Sequence, residues 1–497
     1  MKKVSLCFLI TSCFLYGKIN FSINGDFSNF YASRTSDNSI LNIPFKLANI
    51  NSTLYFKSFE LHLNHAIEYK KINDDNLFSS ENITSNIREF YGTLYFDLTE
   101  FSFGKQLFTL GSVDENSPID HFNPYNYYYL LIGGSDKKVP IEALSFELYL
   151  DLIKVSGAFS ATHNQNFYPQ DDPEYSLSLP YFPETYEFLD NKGSQHESFL
   201  SLQFAPNYNT DITLTYLRAF DRVFSLSGFT MYEFQGNNVL IPYTLDKWFS
   251  NRLTEAINIG TVLLFDDFTI RTDLAFFHSF DRYNRKDYLE LKSNFGYVNG
   301  ISEFYEELYD QMDIDGDGIY DPFNAALQED AKYSQFTFQF ELPLPNDYQI
   351  NLQYFNYSLI DYHINNYTFS DVSVVLPLAT IDLNDVLNDE GDFFNPGIGS
   401  SMANLTSESI LFSADKLLLD NNLKLTLTTF FDLDKGNGKL VSFESEYSIS
   451  DNLNILFGST KIFGDDSVES ESEFDPGYTF NLMEDFSHNR LQLQYFF

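Results

Sequence analysis

Cysteine is almost absent from this 497-residue chain: Cys7 and Cys13 are its only two, and both lie in an apolar segment at the N-terminus. Downstream of that segment no disulfide and no thiolate metal site can form. Basic residues are scarce, with 30 Lys and Arg against 70 Asp and Glu for a net charge of −40. A nucleic-acid partner needs a basic footprint, so none is expected. Long apolar runs are missing too. Nothing after the N-terminal segment reaches the roughly 18 apolar residues of a membrane-spanning helix, so any insertion into a bilayer has to use strands. The sequence has neither a Gly-x-Ser-x-Gly nor a His-Glu-x-x-His pattern, and His163 and His196 sit in or beside loops without a catalytic context. No enzyme activity and no required cofactor are expected. Tryptophan occurs once, at Trp248, whereas Phe and Tyr number 53 and 34. Aromatic residues favour strands, and here Phe and Tyr would have to supply any interfacial aromatic girdle.

The two ends of the chain are informative. Lys2 and Lys3 precede the apolar run Val4 to Tyr16, and Gly17 offers a small residue for cleavage. This pattern predicts a signal peptide over 1–17 and a single domain over 18–497. Ile10-Thr11-Ser12-Cys13 also loosely fits a lipoprotein processing site, but strand-like alternation begins almost at once, with Ile19, Phe21 and Ile23. At the other end Leu491, Leu493, Tyr495 and Phe497 share one face of a strand, and Gln492 and Gln494 share the other. Chain ends usually fray in water and carry polar residues. An apolar alternation running to a terminal Phe suits a closing barrel strand with one face in lipid, and it resembles the assembly signal of bacterial outer-membrane barrels.

Period-two alternation recurs between the ends. Phe268, Ile270, Leu274 and Phe276 share a face opposite Arg271 and Asp273. Tyr348, Ile350, Leu352 and Tyr354 alternate with Gln349, Asn351 and Gln353, and Val441, Phe443 and Tyr447 with Ser442, Glu444 and Glu446. Such strands fit a soluble sandwich as well as a barrel. The connections discriminate. Short polar turns near Lys57, Asp97, Asp151, Asn207, Asp266, Pro345, Asp420 and Asp451 alternate with long polar segments at 111–138, 163–195, 222–250, 282–332 and 360–402. Tight turns at one rim and long loops at the other are the habit of transmembrane barrels. The expected fold is therefore all-β, a transmembrane antiparallel barrel of about 18 strands, with 16 acceptable.

One stretch carries a more specific resemblance. Arg88-Glu89-Phe90-Tyr91 begins a strand, Phe103-Gly104-Lys105-Gln106 lies in the next, and Leu110-Gly111 opens a long loop containing Asn123-Pro124. Leu179-Pro180-Tyr181-Phe182-Pro183 and Tyr216-Leu217-Arg218 follow further on. Together these motifs resemble a bacterial outer-membrane porin-like β-barrel family of unknown function. Lys105 and Leu110 depart from its pattern, standing where Arg and Trp are usual. A long early loop of this kind can fold back and narrow a lumen. Arg88, Glu89 and Lys105 on the strands would then oppose Asp114, Glu115 and Asp120 on the loop, and opposed charges at a constriction are one way pores select ions.

A second constellation is Asp313-Ile314-Asp315-Gly316-Asp317-Gly318-Ile319-Tyr320-Asp321. Its carboxylates fall at positions 1, 3, 5 and 9 of a calcium loop, with Gly318 at the sharp turn and Ile319 offering its carbonyl. Asn324 replaces the usual bidentate Glu at the last position, which predicts modest affinity.

The expected function is passive diffusion of small polar solutes through an outer-membrane channel, weakly cation-preferring because of the acidic surplus. The alternatives are a surface-interaction barrel with a blocked lumen and a transporter of hydrophobic substrates. The expected surroundings are the outer membrane of a Gram-negative-type bacterium, its lipid and lipopolysaccharide, and the barrel-assembly machinery.

Overall fold

The computed structural model describes residues 19–71, 82–129, 137–169, 172, 174–175, 183, 195–233, 243–282, 323–364, 394–434, 438–465 and 479–497. Twenty-one strands occur among them. They are β1 (Ile19–Arg34), β2 (Phe45–Phe56), β3 (Phe59–Tyr69), β4 (Ile83–Tyr95), β5 (Thr99–Gln106), β6 (Ile141–Leu150) and β7 (Ile153–Ser160). Next come β8 (Glu197–Asn207), β9 (Thr210–Phe220), β10 (Ser225–Glu233), β11 (Tyr243–Ser250), β12 (Leu253–Leu264), β13 (Thr269–Phe280) and β14 (Phe323–Ala326). The last are β15 (Asp330–Leu344), β16 (Tyr348–His363), β17 (Glu408–Leu418), β18 (Leu423–Asp432), β19 (Lys439–Ser450), β20 (Leu453–Phe463) and β21 (His488–Phe496).

Antiparallel pairing joins 18 of these strands into one closed sheet. Each barrel strand pairs with the next in the chain, and β21 returns to pair with β1, Tyr495 opposite Phe27 and Leu491 opposite Tyr31. Strands β10, β11 and β14 form a separate three-stranded sheet that takes no part in the ring. The signal-peptide residues and the calcium-loop residues 313–322 lie outside the described residues.

The alternation seen in the sequence decides which face goes where. Directly paired residues share a face across successive strands. One such row, Tyr216–Ile257–Phe276, points outward, with Ile257 62% exposed. Rows of the opposite parity point inward, among them Thr213, Gly260, Asp273 and Thr337. Large apolar side chains are exposed all around the outside, among them Phe21, Phe103, Leu144, Leu200, Phe443 and Leu493. Polar side chains line the inside. A soluble monomer does not expose so much contiguous apolar surface, and only a closed sheet satisfies its backbone in lipid. The molecule is a transmembrane β-barrel. The C-terminal face Leu491, Leu493, Tyr495 and Phe497 lies on its lipid side, and Phe497 stacks on Phe27 with centroids 5.2 Å apart.

The two rims differ as the connections imply. Every short turn named above joins strands at one rim. Asn346 (φ 66°) and Asp347 (φ 61°) form one of them in the left-handed conformation that tight hairpins demand. At the other rim the described parts of two long connections, 107–129 and 394–407, fold inward. They bring Phe122, Phe394 and Ile398 against Phe199, Leu217, Ala256, Ala275, Phe277 and Tyr333 of the wall, forming an apolar cluster inside the barrel.

Candidate functional site

The segment between β5 and β6 enters the lumen and crosses it. Gly111 (φ 92°) adopts a backbone shape that disfavours side chains, and the chain turns there toward β13. At the tip, the backbone N–H groups of Ser112 (2.9 Å) and Val113 (3.1 Å) and the Ser117 hydroxyl (2.6 Å) all donate to Oδ2 of Asp273. Beside it the Asp114 N–H donates to Gln339 Oε1, whose amide returns a bond of 2.6 Å to the Asp114 carboxylate. Asn116 is held by Gln353 at 2.9 Å and by Thr337 at 2.7 Å, and Arg271 Nη1 donates to the Ser112 carbonyl. The segment that leaves β5 is thus tied down on β13, β15 and β16.

Its base is fixed by the motif residues. Asn123 accepts the Phe108 N–H at 2.7 Å and donates to the carbonyls of Gln106 and Val139, closing the neck of the loop. Asp120 accepts the Leu110 N–H and pairs with Lys138, whose Nζ also donates to the Phe108 carbonyl.

The six candidate constriction residues divide sharply. Strict alternation would put Arg88 and Glu89 on opposite faces, but the pairing shifts register between Asn64–Glu89 and His65–Ile87, leaving Arg88 as an extra residue in a β-bulge. Both side chains therefore reach inward. Arg88 Nη2 donates to the Lys138 carbonyl at 3.1 Å, and Glu89 Oε1 accepts the Leu107 N–H at 3.0 Å. Arg88, Glu89, Asp114 and Asp120 are thus engaged in bracing and docking the loop. Glu115 keeps a half-exposed carboxylate, 3.8 Å from Lys137. Lys105 differs from them in strand parity, although it lines one cavity with Arg88 and Lys138. It pairs with Phe90 and Glu142 on the outer face, and its Nζ donates to the Ile87 carbonyl. Its place in the sequence motif does not reveal this; its parity with Phe103 does.

A second inward segment is 394–407, which overlaps the long polar segment 360–402; nothing in its sequence signals that it folds inward. The Ile398 carbonyl accepts from Tyr333 and Gln335, and the Ser400 N–H donates to Gln335 Oε1. Tyr127 of the first loop donates to the Ser401 carbonyl at 3.1 Å and accepts from Asn404, so the two segments meet. Buried ion pairs hold the surrounding rim. Arg252 bonds Asp221 at 2.7 Å, Glu329 at 2.8 Å and the Asn395 carbonyl, while stacking on Phe394. Its two carboxylate partners outweigh the burial that opposes its charge, so its pKa stays raised. Arg222 pairs with Glu197, which also binds His163 at 2.8 Å.

Below the crossing loop the wall is acidic. A cavity of about 370 Å³ runs along β3 to β8, lined by Glu60, Tyr91, Tyr95, Glu100, Glu147, Lys154 and Gln203. Tyr95 donates to Glu60 at 2.6 Å, and Lys154 pairs with Glu147 at 2.9 Å. Across the lumen Asp26, Asp415, Glu444 and Glu446 face inward with Lys424 and Arg490; Gln494 donates to Asp26, Asn454 to Glu446 and Arg490 to Glu444. Among the described residues no group of three or more His, Cys, Asp and Glu is placed to hold a metal ion.

No protein-family model and no curated protein matches the chain. Several solved structures are similar to it over most of the chain. OccK2 (OpdF) of Pseudomonas aeruginosa is similar at 10% identity over 96% of this chain and 97% of that one, TM-score 0.47. OccAB2 of Acinetobacter baumannii is similar at 9% over 96% and 98%, TM-score 0.46, and a BenF-like porin from Pseudomonas fluorescens Pf-5 at 11% over 96% and 98%, TM-score 0.44. The strand pairing itself carries the architecture. A closed antiparallel barrel with lipid-facing apolar residues and a polar interior is an outer-membrane protein of a Gram-negative-type bacterium.

Proposed function

We propose that this barrel is a passive channel for small polar solutes with a weak preference for cations. The observation that carries the reading is the segment 107–129: it reaches into the lumen and docks on the opposite wall beside an acidic cavity, as a loop that narrows a pore would. Carboxylates outnumber ammonium and guanidinium groups along that wall, and a lumen of one sign raises the local concentration of the opposite ion. A hydrophobic substrate would meet Gln, Asn and Glu side chains at this level, which disfavours that alternative. The reading assigns no bond-making step to any residue. Outer-membrane lipid and lipopolysaccharide outside the barrel, and the barrel-assembly machinery recognising the C-terminal face, are the partners it implies.

Planar-bilayer recordings under a salt gradient test it. The expected result is stepwise conductance with a reversal potential of cationic sign that moves toward zero in Glu444→Gln/Glu446→Gln. Clear anion selectivity would refute the charge reading. A folded barrel without conductance would favour a second reading, in which the packed loops make a surface-interaction barrel. That reading is favoured by the apolar cluster that the inward loops build at the long-loop rim.

A further inference from the structure

Several wall side chains fasten the tip of the crossing loop, and Asp273 receives more of its bonds than any other. Asp273 has no exposed surface, although it sits on the lumen face of β13. Its Oδ2 accepts from Ser112 N, Val113 N and Ser117 Oγ, and its Oδ1 lies 3.0 Å from Ser112 N. Two successive backbone N–H groups and a hydroxyl aimed at one carboxylate form a nest, the arrangement by which backbone holds anions. The space is made for it. A methyl group on Gly260 would sit 2.7 Å from Asp273 Oδ1 and 2.5 Å from Ser112 Oγ, and one on Gly111 would lie 2.6 Å from Asp273 Oδ2. Glycine at both positions lets the loop backbone press onto the wall. The charged neighbours are Arg271, which donates to the Ser112 carbonyl and pairs with Glu341 at 2.5 Å, and Asp114, which is turned onto Gln339.

We infer that Asp273 is the latch of the constriction: its carboxylate, gripped by the 112–117 backbone, sets how far the loop closes the lumen. This rests on the channel reading for its consequence but not for its geometry. A charge satisfied by the loop is not displayed to passing solutes, so Asp273 acts by position rather than by selecting ions. Removing the carboxylate leaves two N–H groups and a hydroxyl without their acceptor, and the loop swings off the wall. Charge-assisted bonds to a carboxylate are among the strongest a loop can make.

The experiment uses the full chain with Cys7→Ser and Cys13→Ser, which leaves no other thiol. Val113→Cys, buried in the closed loop, is labelled with a small maleimide in refolded barrels. The expected rate is at least about tenfold faster in Asp273→Ala than with Asp273 present, because opening exposes the thiol. An unchanged rate, in barrels that keep their heat-modifiable gel mobility, overturns the latch. Conductance supplies the second arm. Asp273→Ala is expected to raise it, and Ser112→Cys with Gly260→Cys in the same background to return it to the original value under oxidant and release it under reductant. Failure of the disulfide to restore it overturns the assignment to this loop. A barrel that never conducts refutes the channel reading alone, since the labelling rate still reports on the latch.

Discussion

Arg222 and Glu197 meet as a two-pronged ion pair sealed from water, Nη1 to Oε1 at 2.8 Å and Nη2 to Oε2 at 2.9 Å. Arg222 also donates to the Phe122 carbonyl at 2.7 Å, which ties the crossing loop to the connection after β9. Breaking one partner strands the other charge. Glu197→Gln is expected to destabilise the barrel by about 3–5 kcal/mol, read as a lower temperature for the shift in gel mobility. Replacing both partners by apolar residues, Glu197→Leu with Arg222→Met, should cost less than the single change.

Acid should loosen the same region. Burial holds the His121 imidazole in its neutral form, with its pKa lowered from 6.5 to about 3. The unfolded chain takes up a proton near 6.5 and the folded loop only near 3, so stability is full above that window and falls as pH drops through it. The limit is about 1.4 kcal/mol per pH unit. Thermal midpoints at pH 7 and pH 4 should separate in the native chain and draw together in His121→Phe, which keeps the ring contact with Phe277.

Gly399 (φ 128°) lies against the Gln335 side chain that holds segment 394–407. A side chain there meets both backbone strain and a steric clash. Gly399→Ala is expected to weaken the docking of this segment by about 1–3 kcal/mol and to speed proteolytic nicking within it, with the strands left intact.

The 313–324 sequence should bind calcium weakly, with a dissociation constant of about 10⁻⁴–10⁻³ M, in the range of extracellular modules. Isothermal titration should show heat for the native barrel and none for Asp315→Ala. Equal heats from both would remove calcium from the account.

Much of the barrel could be read before any coordinates. The turns near Lys57, Asp97, Asp151, Asn207, Asp266, Pro345, Asp420 and Asp451 all join adjacent strands, because turn chemistry is local and Asn, Asp and Pro declare it. Phe268 to Phe276 alternates so cleanly that its inward face, Arg271 and Asp273, was legible too. What the inward face does was not. Ser117 and Asp273 stand 156 residues apart, and nothing in either neighbourhood announces the other. Arg88 and Lys105 show a second limit. A single bulged residue redirects Arg88 into the lumen, whereas strict parity carries Lys105 to the outside. Period-two reasoning holds only while the ladder stays in register.

The pairing of β21 with β1 has a consequence for how the ring is made. All other barrel ladders join barrel strands that are neighbours along the chain, so each can zip onto its predecessor as a hairpin or across one longer excursion. The seam alone unites Asp26 with Phe496 and Arg34 with His488, from opposite ends of the chain. Until it shuts, the molecule is an open sheet with two bare edges, each a template for a wrong neighbour. Closure is the slow, long-range event, and the Phe27–Phe497 stack is the clasp that distinguishes the completed ring from a partly assembled one.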